Sequence, residues 1–314
     1  MPAILLRRLA YFVATLLVAS LVIFVVLDLL PGNAAAILLG TSARPDTIAA
    51  LQQQLGLDQP AWWRYLSWIR GLFTGDLGRS LTYGVPVSGL MAERLVVTIP
   101  LALLALLVAV GAGVPMGVWA AARWRKLPDH AASVVAQMGI AIPDFWLGIL
   151  LILFFSTGLN WFSAGGFPGW GQPLAALKAL VLPALALGLP QAAILVRVTR
   201  ASVLDVASQD FVRTAEAKGL PARQVLWRHT VRNALLPVVT IVGLQFSFLI
   251  AGAVLVENVF DLPGIGLLAY QALSQRDLVT IRSVTLFFAG LVIIVNFLVD
   301  LSYLWLDPRL RARG

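Results

Sequence analysis

The residue types that carry most catalytic chemistry are scarce in this chain. It has no cysteine and two histidines, His130 and His229, which are not neighbours in the sequence. Disulfide frameworks, thiolate metal sites and thiol nucleophiles are therefore excluded, and we find neither a metal-ligand pattern nor a catalytic triad. The sequence also lacks a glycine-rich loop ending in Lys-Ser or Lys-Thr, so we expect no ATP hydrolysis by this chain and no bound cofactor.

Polar residues inside long apolar stretches are the remaining candidates for chemistry. Asp144, Gln191 and Gln245 are such residues. Placing a polar side chain inside a membrane costs free energy, so residues of this kind are candidates for a functional site. Asp144 follows Pro143, so it either lines a solute path or caps a helix that restarts after the proline. Gln191 and Gln245 are weaker path candidates, because either side chain can form a hydrogen bond between helices.

The composition indicates a membrane protein with several spans. Of the 314 residues, 60% are hydrophobic and 12% are charged, and the mean hydropathy is +0.88. A soluble domain of this length cannot bury so much apolar surface. A bilayer core needs roughly 20 apolar residues per helix, which predicts six spans: 9–30, 95–122, 131–155, 174–196, 234–256 and 284–306. Prolines inside the second, third and fourth spans predict bends.

The distribution of basic residues predicts the orientation of these spans. Fifteen lysines and arginines lie in the N-terminus, the second and fourth connections and the tail, whereas seven lie in the alternate connections. The positive-inside rule then places both termini in the cytoplasm. This arrangement also accounts for the net charge of +8 without nucleic acid. The first span is longer than the core of a signal peptide, so we expect it to stay uncleaved.

The non-cytoplasmic segment 31–94 is too long for a simple turn. We expect a short helix over 46–55 that Gly56 ends, and a second helix to about Arg70 that Asp58 caps, with Pro60 in its first turn. Aromatic residues dominate the second helix. It is therefore either an interfacial anchor or a lip that shapes an entrance or receives a partner.

The connection 200–233 is the most informative part of the sequence. Ser208 or Asp210 is expected to cap a short helix through Lys218, Gly219 to end it, and Pro221 to open the next helix. The short helix has a few apolar residues to bury: Phe211, Val212 and Ala215. A rigid polar element of this kind suits docking into a soluble partner, although an ordinary surface loop explains the residues equally well.

The same connection resembles the EAA loop of ABC-importer permeases. The matching segments are 210–220 (DFVRTAEAKGL) and 232–237 (RNALLP), and they are closest to the B-type subunit of the oligopeptide and dipeptide group. Two departures are visible. Arg213-Thr214-Ala215 stands where the general pattern has Glu-Ala-Ala, so Glu216 is not the signature glutamate, and the gap from Gly219 to Pro237 is longer.

The resemblance extends along most of the chain. It includes the motifs at 30–32 (LPG), 75–78 (GDLG), 143–146 (PDFW), 249–257, 263–266 (PGIG) and 307–309 (DPR). It implies an all-α membrane protein with six transmembrane helices and the type I ABC importer permease fold. Its parts would be an N-terminal helix (1–30), an extracytoplasmic lip (31–94), a five-helix core (95–306) with the coupling loop 200–233, and a cytoplasmic tail (307–314).

The resemblance also implies partners and roles. Such permeases pair with a second permease subunit and two cytoplasmic ATPase subunits in the bacterial inner membrane, and an extracytoplasmic binding protein delivers the solute. Peptides are the default solute, with nickel chelates or glutathione as alternatives, and Asp144 would meet a peptide amino terminus. Glu257 would belong to an outer gate. The residues expected to couple to the ATPase are Asp210, Phe211, Arg213, Thr214, Ala215, Glu216 and Gly219, with Gly219 in a left-handed turn.

Two other classes of protein compete with this reading. An ion-coupled secondary transporter predicts inverted repeats and paired broken helices, and we find no clear internal repeat. A membrane-embedded enzyme would depend on Asp144 and Asp300.

Overall fold

The computed structural model describes residues 2–29, 44–54 and 58–306. Within these ranges the regular structure is helical, and an isolated bridge pairs Arg79 with Pro86. Several sequence predictions lie outside the described residues, namely the helix end at Gly56, the motifs at 30–32 and 307–309, and the tail 307–314. The helices are α1 Pro2–Asp28, α2 Pro45–Gln54, α3 Ala61–Thr74, α4 Val87–Ala121, α5 Leu127–Ala141, α6 Asp144–Leu151, α7 Pro173–Ala207, α8 Asp210–Ala217, α9 Ala222–Gln224, α10 Arg232–Val259, α11 Ile265–Ser274 and α12 Leu278–Leu306.

Two of the helices continue through π-helical turns. The π-helix Ile152–Gly158 extends α6, and the π-helix Val225–Val231 joins α9 to α10. As a result, residues Ala222–Val259 form one long helical segment.

Membrane-length apolar helices confirm five of the six predicted spans. They are Leu6–Asp28, Val87–Ala121, Pro173–Ala207, Ala222–Val259 and Leu278–Val299. The remaining predicted span, 131–155, is present as a bent pair, because α5 and the extended α6 meet at an angle of 99° at the predicted bend. Ile142 and Pro143 are extended at this break, with ψ angles of 122° and 138°. Proline disfavours the helical conformation of the residue before it, which explains where α5 ends.

The other prolines of the predicted spans lie within unbroken helices. Pro100 and Pro115 are inside α4, and Pro183 and Pro190 are inside α7. A proline inside a membrane helix is tolerated when neighbouring groups satisfy the freed carbonyl. Of the predicted bends, the break at Pro143 is therefore the one at which a helix ends.

The chain divides into two compact units, one of residues Met1–Val97 with Gly264–Ile294, the other of residues Thr98–Pro263 with Val295–Gly314. The core of the first unit is formed by residues that are at most 5% exposed: Val87, Met91, Ile265, Leu268 and Val284. In the second unit α7 is the most buried helix, and it packs against α5, α6 and α10.

Small residues allow two helices of the second unit to approach closely. A Cβ on Gly113 of α4 would lie 2.7 Å from the carbonyl oxygen of Ala192 in α7. A Cβ on Gly188 would lie 2.6 Å from the carbonyl oxygen of Ala105. Packing of this kind between glycine-bearing faces is the common way in which membrane helices associate.

The helix that follows residue 58 differs from its prediction at both ends. Pro60 occupies the position before α3 and its carbonyl oxygen accepts the first helical bonds, whereas no side chain caps the helix, so Asp58 is not its cap. The helix also runs four residues beyond Arg70, to Thr74. Gly75 then ends it with φ of +76°, a left-handed conformation that glycine adopts without strain.

Candidate functional site

The inward face of α8 is apolar and is buried within the second unit. Val212 and Ala215, which are 2% and 5% exposed, stand three residues apart and therefore lie on the same helical face. They pack in one hydrophobic cluster with residues from three other helical segments: Val118 and Ala121 of α4, Val203 and Val206 of α7, and Val225, Val231 and Ala234. We call residues 208–221, which contain α8 and its two ends, the coupling segment.

The outward face of α8 is accessible. Asp210, Arg213, Thr214 and Glu216 are exposed, and Phe211 is 42% exposed. Of the three apolar residues of this helix, Phe211 is thus the one that this chain leaves exposed, because its position points away from the face of Val212 and Ala215. An exposed aromatic ring among charged side chains is an arrangement typical of a docking surface.

The first end of α8 is not capped by either predicted residue. Gln209 occupies the cap position, and no side chain forms a capping hydrogen bond. Ser208 instead follows the last residue of α7, and its Oγ donates to the carbonyl oxygen of Asp205 at 2.7 Å. Asp210 is already inside the first turn of α8, where a negative charge favours the helix dipole.

Gly219 ends α8 in the predicted left-handed conformation, with φ of +77°. Its N–H donates to the carbonyl oxygen of Glu216 at 2.9 Å, and the N–H of Leu220 donates to that of Ala215 at 3.4 Å. This pair of bonds is the Schellman motif. Apart from its chain neighbours, no atom of the described residues lies within 4 Å of the position of a Cβ on Gly219, so backbone conformation alone makes glycine the preferred residue here.

The second end of the coupling segment leads directly into a membrane helix. Pro221 is extended, with ψ of 141°, and precedes α9 as predicted. Because α9 continues through the π-helix into α10, the turn at Gly219 is three residues from a helical segment that runs to Val259. A displacement of α8 therefore acts on this segment through the chain as well as through the packed cluster.

A buried ion pair that the sequence analysis missed joins α5 to α7. Asp129 is 1% exposed, and its two carboxylate oxygens accept from Nε and Nη2 of Arg200, the latter at 2.9 Å. The backbone N–H of Arg125 donates to the same carboxylate at 3.0 Å. Asp129 is the single acidic residue of an otherwise basic connection, which is the signal that could have identified it.

Asp144 is the first residue of α6 and is half-buried. It forms no capping hydrogen bond, and we find no ion pair for it within the part of the chain that the structure describes. A Cβ on Gly252 of α10 would lie 3.0 Å from Oδ2 of Asp144 and 3.0 Å from Cδ2 of Leu187. The carboxylate of Asp144 thus lies beside α10 at Gly252, which has no side chain. Its contacts do not support the alternative that Asp144 caps α6.

The two glutamines lie between helices of the second unit. Nε2 of Gln245 donates to the backbone carbonyl of Gln191 at 3.1 Å, which links α10 to α7. The side-chain oxygens of both residues are buried and accept no hydrogen bond from the described residues. Glu257, also of α10, is fully buried, and its Oε1 accepts from Oγ1 of Thr98 at 2.5 Å.

A second polar arrangement holds the loop 75–86 within the first unit. Asp277 is 1% exposed, and it accepts from Oγ of Ser80, from the N–H of Leu81 at 3.2 Å, and from Oγ1 of Thr280 at 2.8 Å. Oγ of Ser283 donates to the carbonyl oxygen of a further loop residue, Leu77, at 3.2 Å. The loop residues Leu77, Ser80 and Leu81 are each about 200 positions from Asp277 or Ser283 in the chain, so no local pattern in the sequence points to these contacts.

Membrane-length helices with a short helix packed against their ends define a multi-pass membrane protein. Residues 113–312 match the family of the binding-protein-dependent transport system inner membrane component, and residues 1–102 match its N-terminal family. The chain belongs to this family, and the resemblance found in the sequence is confirmed.

Individual relatives agree with this assignment. A putative peptide transport system permease protein of Brucella abortus (strain 2308) is 42% identical over 99% of both chains. A probable peptide ABC transporter permease protein of Sinorhizobium fredii is 37% identical over 99% of this chain and 100% of its own. The glutathione transport system permease protein of Salmonella typhi is 38% identical over 98% of both.

The function of the chain follows at the level of the family. It is a membrane permease of a binding-protein-dependent importer, a transport subunit and not an enzyme. The chain therefore works with an ATPase and with a solute-binding protein.

Proposed function

We propose that this chain is one of two homologous permease subunits of a bacterial inner-membrane importer for di- or oligopeptides, with both termini in the cytoplasm. The distribution of basic residues supports the orientation. Relatives named as peptide and glutathione permeases support peptides as the solute, since glutathione is itself a small peptide. Nickel chelates are the alternative solute for the same type of importer, and the ligand of the partner binding protein distinguishes them.

The coupling segment is proposed to receive force from the two ATPase subunits. The supporting observation is the division of α8 into two faces, one with Val212 and Ala215 buried against the membrane helices, the other exposed. ATPase closure would press on the exposed face, and the buried face would pass the displacement to α4, α7 and α10. Ala215 thus contributes by seating the helix, whereas Phe211, Arg213, Thr214 and Glu216 would contact the ATPase.

The experiment is co-purification of the ATPase subunits with the permease. Replacing Phe211, Arg213 and Glu216 together by alanine removes three exposed side chains, and we expect the ATPase to be lost while the permease stays folded. The matched control replaces three exposed residues of the second connection, between α4 and α5, by alanine: Arg123, Trp124 and Lys126. An unchanged yield of ATPase with the first variant contradicts the docking proposal, and solute uptake without any ATPase favours an ion-coupled transporter.

The half-buried carboxylate of Asp144 is proposed to line the solute path and to attract the amino terminus of a peptide. Its lack of a partner among the described residues and its place at the break between α5 and α6 support this role. Gln191 and Gln245 are weaker candidates, because the amide of Gln245 already links two helices. Their unpartnered side-chain oxygens are what they would offer to a solute.

Asp144→Asn separates the path role from a structural one. The variant keeps the size of the side chain but removes its charge, so uptake of cationic peptides should fall by about tenfold, which corresponds to about 1.4 kcal/mol. Uptake of neutral peptides should change little. Asp205→Asn, at an exposed position of α7, is the control for loss of one carboxylate. Equal losses for cationic and neutral peptides would exclude the path role.

A further inference from the structure

Aromatic and polar side chains pack α3 against α1 within the first unit. Oγ of Ser20 and the hydroxyl of Tyr65 are 2.9 Å apart. Phe24, which is 3% exposed, meets Tyr65 edge-on at 5.4 Å between ring centroids and stacks on Trp68 at 6.2 Å. These contacts hold α3 in one position against α1, and we call them the seat of α3. The charged groups around the seat are therefore also held in place.

One of the two arginines beside this seat is fully paired. Nη1 and Nη2 of Arg64 contact the two carboxylate oxygens of Asp28 at 2.7 and 3.0 Å. Its Nε donates to the carbonyl oxygen of Gln59 at 3.2 Å. Arg64 and Asp28 therefore neutralise each other, and neither is available to a further ion.

The second arginine, Arg282 of α12, has no such partner. Its guanidinium carbon lies 5.0 Å from the ring centroid of Phe24 and 5.3 Å from that of Trp68. We find no ion pair or hydrogen bond from Arg282 to the described residues, and its Nε is buried without an acceptor. Nε1 of Trp68 is likewise buried without an acceptor. Stacking uses the faces of these groups, so their N–H donors stay unsatisfied.

The remaining donors of Arg282 are accessible. Neither terminal nitrogen is among the buried atoms that lack a partner, and neither makes a hydrogen bond to the described residues. The guanidinium therefore offers a positive charge and open N–H groups, and the carboxylate near it, Asp28, is already bound by Arg64. A phosphate oxyanion is the ligand that best matches a planar set of donors of this kind.

The depth of the cluster identifies the source of such a phosphate. Phe24 lies four residues before the end of α1, and Arg282 lies four residues after the start of α12, both of which are membrane-length helices. At 1.5 Å per residue, both side chains are within about 6 Å of the helix ends. For helices that cross a bilayer core of about 30 Å, we expect side chains this close to the helix ends to lie near the lipid headgroups. Exposed apolar side chains flank the cluster and offer surfaces to acyl chains: Leu21, Val25, Trp62, Trp63 and Leu66.

We propose that Arg282 and Trp68 form a binding site for the phosphate group of a phospholipid between α1, α3 and α12. The phosphate would accept from the accessible terminal N–H groups of Arg282, which stacking on Phe24 and Trp68 holds in place, and the lipid would fix α3 at the membrane surface. This proposal depends on the membrane location of the chain and not on the identity of the transported solute.

Native mass spectrometry and thermal unfolding of the purified full-length chain test the proposal. Phosphatidylglycerol should stay bound and raise the Tm, whereas dioleoylglycerol, which has the same tails without a phosphate, should not. Arg282→Gln should reduce the shift in Tm and the retained lipid by about half or more, because it removes the charged donor. Trp68→Phe keeps the aromatic ring and removes only the N–H, so a smaller loss is expected.

Arg70→Gln is the matched control, since it removes one positive charge from an exposed position of α3. It should retain the lipid and the shift in Tm. Retention of both in Arg282→Gln, or an equal shift with dioleoylglycerol, would overturn the proposal. Inorganic phosphate is the remaining probe. If it alone reproduces the shift given by phosphatidylglycerol, the site binds a free oxyanion and the assignment to a lipid is rejected.

Discussion

The coupling segment and the loop 75–86 are both short connections seated on longer helices, but opposite chemistry holds them. The coupling segment rests on apolar contacts made by Val212 and Ala215. The loop is held by hydrogen bonds that converge on the buried carboxylate of Asp277 and by Ser283. Both connections also contain glycine with a positive φ, Gly219 in the first and Gly75, Gly78 and Gly84 in the second.

This difference teaches what each connection can do. Apolar contact is non-directional and depends on buried area, so a rigid helix can shift by a small amount without losing its seat. Hydrogen bonds to a carboxylate depend on distance and angle, so they fix the backbone of the loop in one conformation. The first arrangement suits an element that transmits movement. The second suits an element that must keep its shape.

The largest loss of stability is expected when the carboxylate that holds the loop is removed. Asp277→Ala leaves the hydroxyls of Ser80 and Thr280 and the N–H of Leu81 without their acceptor, so the free energy of unfolding should fall by about 4 kcal/mol. Denaturant unfolding of the purified chain measures this loss. Limited proteolysis should then cut within 75–86.

Asp76→Ala is the control for this variant, because Asp76 is exposed and accepts one bond within the loop, from the N–H of Gly78 at 2.9 Å. Its effect should stay below about 1 kcal/mol. If both variants lose the same stability, the loop does not depend on Asp277 and the contrast between the two connections fails.

A smaller loss is expected from the ion pair near the first end of the coupling segment. Arg200→Gln leaves the carboxylate of Asp129 buried with one remaining donor, the N–H of Arg125. We expect a loss of about 2–3 kcal/mol, less than for a fully buried pair because the side chain of Arg200 is 27% exposed.

Arg200→Lys is the control, since it keeps the positive charge and removes the two-point contact. It should recover part of the stability. If Arg200→Gln abolishes ATPase stimulation at unchanged stability, the coupling segment depends on a polar contact. The conclusion that apolar contacts hold the coupling segment and hydrogen bonds hold the loop would then be wrong.

The predictability of these regions follows from the distance over which each interaction acts. The helix, the turn at Gly219 and the helix after Pro221 were predicted because caps and turns are encoded within a few residues. Five spans were predicted because hydropathy over roughly 20 residues is a strong signal. The break at Pro143 was predicted only as a bend, because proline is compatible with both a kink and a helix end.

The contacts that hold the site could not be predicted from the sequence. Asp277 with Ser80 and Asp129 with Arg200 join distant positions, and one sequence carries no information on which of them meet. The residue type of Phe211 did not show which face of α8 it occupies, because an aromatic residue on a short helix can serve either a core or a docking surface. Only the packing of Val212 and Ala215 decides which face turns inward.

The turn that ends α8 should be sensitive to the shape of the residue at position 219. Gly219→Val places a β-branched residue at φ of +77°, which should cost about 2 kcal/mol and shift the end of α8. We expect poor assembly with the ATPase or loss of its stimulation by solute. Gly219→Asn is the matched control, since asparagine tolerates the left-handed conformation and no atom obstructs its Cβ. Normal transport and ATPase stimulation in Gly219→Val would show that this turn is not needed for coupling.

The smallest expected changes separate the two faces of α8. Val212→Ala removes buried methyl groups and should lower the free energy of unfolding by about 1.5 kcal/mol, with a modest weakening of coupling because the helix is seated less firmly. Phe211→Ala, one residue earlier on the exposed face, should change stability by less than about 0.5 kcal/mol and yet reduce the affinity for the ATPase.

Stability is read from denaturant unfolding and affinity from titration of the ATPase. A loss of stability in Phe211→Ala as large as that in Val212→Ala would mean that the ring packs on this chain. The apolar seat of the coupling segment would then extend to the face now assigned to the partner.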